Sequence, residues 1–212
     1  MPLPDRLRLP YTFDAELLAR DLRGLDAVSW TRHFVPQNYE GDWSVIPLRC
    51  KAGATHPIMM IASDPTCRVF EDTPLLAACP YFGRMLATFQ APLRTVRLMR
   101  LTAGSLIKEH TDLDLSFEDG TVRFHIAVLT NPDVEFHLNR RRVVLEAGSA
   151  WYLRLSDPHS VANRGTTDRV HMVIDLDVND WIAALLNDAA ALQGDAAVVP
   201  SHAGATTASM PQ

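Results

Sequence analysis

The sequence predicts a mainly β protein with helices at both ends. Two observations carry that expectation. Residues 94–178 break into eight short runs rich in β-branched and aromatic residues, separated by Gly, Asn, Asp and Pro. Helical periodicity lies before these runs and after them. Short strands at this spacing suit a double sheet closed into a barrel. The expected fold is a double-stranded β-helix, a jelly-roll of cupin-like form. N-terminal helices precede it and a C-terminal helix closes it.

The elements follow in chain order. "FDAELLARDLRGL" has apolar residues at 13, 17, 18, 22 and 25, the period of an amphipathic helix. Asp14 is its N-cap candidate, and Gly24 stands near its end. "VSWTRHFV" and "WSVIPLRC" are expected as strands around the turn-rich "PQNYEGD". Residues 52–72 are Pro-punctuated and expected as loop, with a short strand near Ile58–Ile61. "CPYFGRMLATFQ" is a second helix candidate, with Phe82, Met85, Leu86 and Phe89 on its apolar side. The eight strand candidates are "RTVRLMRLTAG", "SLIKEHTD", "TVRFHIAVLTN", "VEFHLN", "RRVVLEAG", "AWYLRL", "HSVANRG" and "DRVHMVIDLDV". "NDWIAALLNDAAAL" is the closing helix, with Asn179 as cap. Residues 1–193 are expected as one domain with its barrel core at 94–178, and 194–212 as a disordered tail.

At 212 residues the chain suits one domain with a sizeable core. An apolar fraction of 47% and a charged fraction of 21% are those of a globular protein. A net charge of -5 argues against nucleic acid or an anionic membrane as partner. No apolar run reaches the length of a membrane span, and the N-terminus lacks a signal-peptide core, so a cytoplasmic location is expected. Cys50, Cys67 and Cys79 have neither even number nor CxxC spacing, and are expected as free thiols.

The polar residues of the strand region suggest a site. His110 and Asp112, two apart at a strand end, point to one face, so a nitrogen and a carboxylate oxygen converge. His159, 49 residues on, is the best candidate for a third ligand. Two His and one carboxylate form the facial triad of non-haem Fe(II) oxygenases, which leaves positions open for cosubstrate and O2. Arg169 lies ten residues after His159 in an otherwise apolar strand. A buried guanidinium needs an anion, and Arg matches a carboxylate with two hydrogen bonds. If a metal chelates one end of a dicarboxylate such as 2-oxoglutarate, Arg169 can hold the other end. Arg123 and His125 share one face of their strand, either as a second anion site or as part of a polar outer face. Arg97 and Arg100 point to opposite faces, and Arg97 is the favoured substrate contact. His171 shares the face of Arg169, either lining a cosubstrate pocket or lying in solvent. Glu118, Asp114 and Asp119, in the loop between the first two ligands and Arg123, are expected to face solvent.

"HTD", "VRFHIAVLTN", "AGSAWYLRLSDPHSVANRG" and "DRVHMVIDLDV", in this order, resemble the aspartyl/asparaginyl β-hydroxylase family of Fe(II)/2-oxoglutarate oxygenases. The likeness covers about residues 94–178, with a weaker echo at "GDWSVIPLR". It implies that His110 and His159 ligate iron, that Arg169 binds the far carboxylate of 2-oxoglutarate, and that Arg123 and His125 complete the pocket. The animal peptidyl hydroxylases of the family have glycine where this chain has Asp112. Keeping the carboxylate, this chain is more similar to the bacterial branch exemplified by proline cis-4-hydroxylase, which also carries R-x-H on the last strand, here Arg169-Val170-His171. It departs from that branch past the barrel, where one helix and a tail replace a longer extension. The implied activity is hydroxylation of an unactivated C–H bond of an amino acid, with O2 consumed and 2-oxoglutarate decarboxylated. A free amino acid is the expected substrate, for a monomer or homodimer. The alternatives are a peptidyl aspartyl/asparaginyl β-hydroxylase and a non-catalytic cupin-like binder of a metal or ligand.

Overall fold

A computed structural model describes residues 3–64, 66–113 and 115–196 of the chain. Thirteen strands and five α-helices form the fold among them. The N-terminal part holds β1 (Arg6–Thr12), α1 (Ala15–Arg23), β2 (Thr31–Arg32), β3 (Tyr39–Glu40), β4 (Trp43–Lys51), α2 (Pro57–Ile61), β5 (Phe70–Asp72), α3 (Pro74–Ala77) and α4 (Pro80–Leu86). Then come β6 (Leu93–Leu101), β7 (Leu106–His110), β8 (Thr121–Leu129), β9 (Val134–Leu138), β10 (Arg141–Val143), β11 (Ser149–Leu153), β12 (His159–Asn163), β13 (Arg169–Asp177) and α5 (Asp180–Ala196).

All eight strands expected after residue 93 are present, and they pair antiparallel in two facing sheets. The larger sheet runs β1-β11-β8-β13-β6-β4-β2, with β5 also on β4; the smaller runs β10-β9-β12-β7-β3. This is the expected jelly-roll, without full closure of the barrel.

Two cores explain why β8 and β13 are buried along nearly their whole length. One face of the larger sheet, with Phe124, Ile126, Met172 and Ile174, packs on Leu18 and Leu22 of α1, Phe82 and Met85 of α4, and Ile182 and Leu186 of α5. Burying a side chain of the size of Phe124 contributes about 1.5–3 kcal/mol. The opposite face looks into the space between the sheets, where Met99, Ala127 and Val173 meet Phe136, Leu138 and Val161. That inner face also carries the Arg, His and Asp side chains of the site. Helices α1, α4 and α5 buttress the back of the sheet, while Ile61 of α2 joins the inner cluster.

The helix ends follow from capping chemistry. Asp14 Oδ1 accepts from the main-chain N–H of Glu16 at 2.9 Å and Leu17 at 3.1 Å. Asn179 Oδ1 accepts from Ile182 N–H at 3.0 Å. The first N–H groups of α4 are satisfied from another helix: buried Asp21 of α1 accepts from Tyr81 and Phe82 at 2.6 and 2.9 Å.

Several expectations are corrected. Residues 58–61 lie in helix α2, not a strand. Pro57 at its first turn has a φ suited to helix, and His56 Nδ1 accepts from Ile58 N–H at 3.3 Å. The strand expected over 28–35 shrinks to Thr31–Arg32, because Val28 N–H turns back to Leu25 O at 2.8 Å. Strand β1 was not foreseen, although Leu7 and Leu9 alternate with exposed residues. Helix α5 runs to Ala196, three residues beyond the expected domain limit; the rest of the expected tail, 197–212, and Asp114 lie outside the described residues. The three cysteines are free. No described helix is long and apolar enough to cross a membrane.

Candidate metal centre

His110 and His159 face each other as Cα partners across β7 and β12. A register irregularity makes this possible. Between that pair and the next, Val161 opposite Ile107, β12 advances two residues and β7 three. The extra residue leaves Lys108 and Glu109 both exposed and turns His110 to the same inner side as Ile107. A bulge here re-aims a side chain that simple alternation would send outward. Asp112 is fixed by its own backbone, its N–H donating to Leu155 O at 2.8 Å.

One ligand atom from each of His110, Asp112 and His159 lies within 4.8 Å of the others. The tautomers suit a metal. His110 Nδ1 lies 2.8 Å from Lys108 O, and His159 Nδ1 lies 3.0 Å from Asp157 O. A carbonyl only accepts, so each Nδ1 donates to its carbonyl, and Nε2 is the nitrogen left to face a metal. Burial pushes the His159 pKa down to about 4, against the opposing pull of Asp112, so the ring is neutral at neutral pH. Two imidazole nitrogens and one carboxylate fit a divalent transition metal with positions to spare.

Behind Asp112 stands a run of buried charges. Asp112 Oδ2 accepts from Arg123 Nη1 at 2.6 Å. Arg123 donates from Nε and Nη2 to the two oxygens of Asp175, at 2.6 and 2.9 Å. Asp175 Oδ2 also accepts from Arg97 Nη2 at 2.7 Å and Thr95 Oγ1 at 2.8 Å. Arg97 is thus the inward member of its pair, while Arg100 lies on the other side over the Trp30 ring. Burial works against the Arg123 charge, but Asp175 and Asp112 outweigh it and hold its pKa above the ordinary value. Arg97, with one shared carboxylate and the Arg123 charge nearby, is pushed down to about 10 by burial. Burial opposes the Asp175 charge too, yet the two arginines keep its pKa below the usual carboxylate range. Arg123 therefore differs from the open anion site expected of it: three of its N–H groups are already bound to protein carboxylates. Of the loop carboxylates, Glu118 pairs with Arg154 at 3.2 Å, while Asp119 borders the cleft described below.

Arg169 is the opposite case. Its Nη2 lies 2.7 Å from His171 Nδ1, its Nε has no partner among the described residues, and burial alone pushes its pKa down to about 9. Arg has no acceptor, so His171 Nδ1 accepts and His171 carries its proton on Nε2, which has no partner among the described residues. His125 Nδ1 lies 3.4 Å from His171 Nδ1, and among the described residues its Nε2 also lacks a partner. Burial first, and the Arg169 charge second, keep both histidines neutral.

Two spaces meet at the candidate ligands. A narrow inner cavity of about 40 Å³ is bordered by His110, Asp112, His159, His125 and Arg169. An outer cleft of about 760 Å³ is bordered by Asp112, His110, Arg97, Arg123, Asp175 and His33. Trp43 and Met99 border both. The three candidate ligands, Arg97, Arg123, His125 and Arg169 are thus brought together, while His171 stands behind Arg169.

Sequence reasoning missed Asp175, although it follows Arg169 by six residues and His171 by four, which on a strand means the same face. It also missed His33, which stacks on Trp43 with ring centroids 3.5 Å apart. No periodicity marks His33, because it lies just beyond the two-residue strand β2.

Comparison with known proteins bears on the family and the fold. A family model described as aspartyl/asparaginyl beta-hydroxylase matches residues 16–178. L-proline cis-4-hydroxylase of Rhizobium meliloti (strain 1021) is 24% identical over 178 residues, which are 83% of this chain and 62% of that protein. The chain thus spans about three fifths of the length of this curated relative. A 2OG-Fe(II) oxygenase family oxidoreductase from Burkholderia pseudomallei has a TM-score of 0.52 at 19% identity, covering 82% of this chain and 86% of that one. HygX from Streptomyces hygroscopicus, solved with nickel and 2-oxoglutarate bound, has a TM-score of 0.51 at 16% identity, covering 83% and 84%. At these identities the two structures bear on the fold.

Proposed function

The chain belongs to the aspartyl/asparaginyl β-hydroxylase family, and from that premise we propose that it is a 2-oxoglutarate-dependent dioxygenase that hydroxylates an unactivated C–H bond of an amino acid. A free amino acid is the first choice of substrate and a peptidyl residue the second. His110, Asp112 and His159 would hold Fe(II). Bound there, iron with 2-oxoglutarate and O2 supplies the oxidising chemistry: 2-oxoglutarate becomes succinate and CO2, one oxygen atom enters succinate, and the other becomes the new hydroxyl.

The observation that carries this reading is Arg169. A fully buried guanidinium with no anion among the described residues borders the same inner cavity as the three candidate ligands. A metal binder has no use for that cation; a site for a chelating diacid does. Arg169 would take the far carboxylate, and His125 and His171 would line the pocket around it. To seat the diacid the narrow inner cavity would have to widen, and the carboxylate would replace His171 as the partner of Arg169. The substrate then belongs on the other side, in the outer cleft, where Arg97 and Arg123 present their remaining N–H groups. The walls of Trp43, Met99 and Phe136 keep water from the inner space.

The test is succinate formation from 2-oxoglutarate with Fe(II), across a panel of free amino acids and short peptides scored for a gain of one oxygen. Coupled turnover with a free amino acid supports the reading. Turnover only with Asp- or Asn-containing peptides would move it to the peptidyl alternative. A protein that binds metal but never forms succinate would be a binder.

A further inference from the structure

Asp112 turns its two oxygens to different partners. Oδ1 faces His110 Nε2 at 3.6 Å. Oδ2 is occupied by the 2.6 Å hydrogen bond from Arg123 Nη1. Arg123 has little freedom to leave it. The Nε and Nη2 edge of its guanidinium is clamped by both oxygens of Asp175. Asp175 is itself immobilised by Thr95 Oγ1 and Arg97 Nη2, and Arg97 Nη1 is tied to Ile61 O at 3.0 Å. Asp175, Arg97 and Arg123 are 3%, 4% and 6% exposed, so side-chain packing and hydrogen bonding fix the whole run.

Resting on the metal-site reading above, we propose that Asp175 is a positioning residue for Asp112: through Arg123 it holds Asp112 as a one-oxygen ligand, with Oδ1 turned to the histidines and Oδ2 withheld. The physical need is clear. A carboxylate can meet a divalent ion through one oxygen or through both. With two histidines in place, a chelating Asp112 would take one of the three positions that an octahedral facial triad leaves open. A chelating cosubstrate and O2 need all three. A charge-assisted hydrogen bond to Oδ2 competes with that second contact.

Asp175 adds a second effect. Alone, Arg123 would neutralise the ligand it holds. With Asp175 on its other edge, the Arg123 charge is shared between two carboxylates, and Asp112 keeps more of its anionic character toward the metal. Carboxylate partners one shell out commonly tune affinity in this way, and their loss weakens metal binding about 10- to 100-fold. The rival account is that Asp175 only neutralises two buried arginines, which would make it a matter of stability alone.

Asp175→Asn separates the two accounts, since it keeps size and one acceptor oxygen while removing the charge. Co(II), a spectroscopic stand-in for Fe(II), is titrated into the wild-type protein and the variant, with metal-free unfolding temperatures measured alongside. The expected result is one Co(II) per wild-type chain, binding to the variant weaker by about 10-fold or more, and an altered visible band as the coordination number changes. Asp175→Glu, which restores the charge, should recover part of the affinity. A folded Asp175→Asn protein that melts lower but binds Co(II) with unchanged affinity and spectrum overturns the proposal. Wild-type protein that binds no Co(II), or binds it equally well after His110→Ala, overturns the metal-site reading itself. Should Asp175→Asn not fold, the wild-type protein decides the matter by infrared difference spectra with ¹³C-carboxylate aspartate. Widely split carboxylate bands on Co(II) addition are expected from one-oxygen binding. A narrow splitting, the mark of two-oxygen binding, overturns the proposal.

Discussion

Arg169 and His171, two residues apart on β13, meet at 2.7 Å between Nη2 and Nδ1, and this neutral ring stands where an anion would be expected. Both are buried, and the other charged arginines of the inner face have carboxylates. A desolvated cation without a counter-charge works against folding. Its presence is economical only if an anion arrives.

Replacing that cation should therefore split stability from binding. Arg169→Met conserves most of the volume and removes the charge. It should raise metal-free stability by about 1–2 kcal/mol and raise the apparent 2-oxoglutarate requirement by about 100-fold, with little change in metal affinity. Urea unfolding and an anaerobic 2-oxoglutarate titration measure the two effects. A variant that is less stable and binds 2-oxoglutarate as before would remove Arg169 from the cosubstrate site.

The same cation predicts which acids stabilise the protein. A ligand bound only by the folded state raises stability by about 2.7 kcal/mol at a hundred times its dissociation constant. With Co(II) present, 2-oxoglutarate should raise the unfolding temperature more than 2-oxobutyrate, which keeps the chelating end and lacks the far carboxylate. In Arg169→Met the two acids should become alike. Equal shifts in the wild-type protein would show that the far carboxylate finds no cation.

Asp112 distinguishes a three-ligand site from a two-histidine one. Asp112→Ala should lose most succinate formation and weaken Co(II) binding at least 10-fold, and Asp112→Gly should do the same. Full turnover by either variant would place this chain with the two-histidine enzymes. Asp112→Ala also takes from Arg123 the acceptor of its 2.6 Å bond, so thermal unfolding of the metal-free variant has to accompany the assay.

Much of this was legible in the sequence because strand periodicity carries it. The period-2 rule placed Arg123 with His125 and Arg169 with His171 on shared faces without saying which way those faces turn, and the eight strands bounded by turn residues were all found. Asp175 obeyed the same rule, but only its position between Arg97 and Arg123 gives it meaning. His110 reached the inner side by a bulge, an irregularity that alternation cannot express. Residues 58–61 were a short apolar run, for which helix and strand patterns coincide; the deciding signal was Pro57 at the first turn. Pairings between distant segments, such as the Asp21 carboxylate on the start of α4, leave no local pattern.

Asp21 offers a test of the scaffold apart from the chemistry. Its carboxylate accepts from the N–H groups of both Tyr81 and Phe82 at the positive end of α4, and it is 4% exposed. Asp21→Ala leaves those donors unpaired in a buried place and should cost about 2 kcal/mol of stability. Succinate turnover per folded molecule and Co(II) affinity should stay unchanged, since Asp21 lies behind the larger sheet, in the helix layer. A change in metal affinity would mean that the helical layer tunes the site.

Acid should unfold the metal-free protein through its buried histidines. His159 falls from 6.5 to about 4 in the folded state and His33 to about 3, while His125 and His171 lie well below the ordinary value, in each case chiefly through burial. Below about pH 6.5 the unfolded chain takes up protons that the folded state refuses. Stability is therefore fully present above that pH and declines as pH falls toward the folded values, by up to about 1.4 kcal/mol per pH unit for each such histidine. Asp175 acts in the same direction at lower pH, because its depressed pKa favours folding only while the carboxylate is charged. The unfolding temperature should drop steeply between pH 7 and 5. His171→Gln, which cannot take up the proton, should make that slope shallower. Co(II) should shift the decline to lower pH, since protons must then displace a metal from His110 and His159. A flat profile from pH 7 to 5 would mean that these imidazoles accept protons in place, and that the inner face is wetter than its burial indicates.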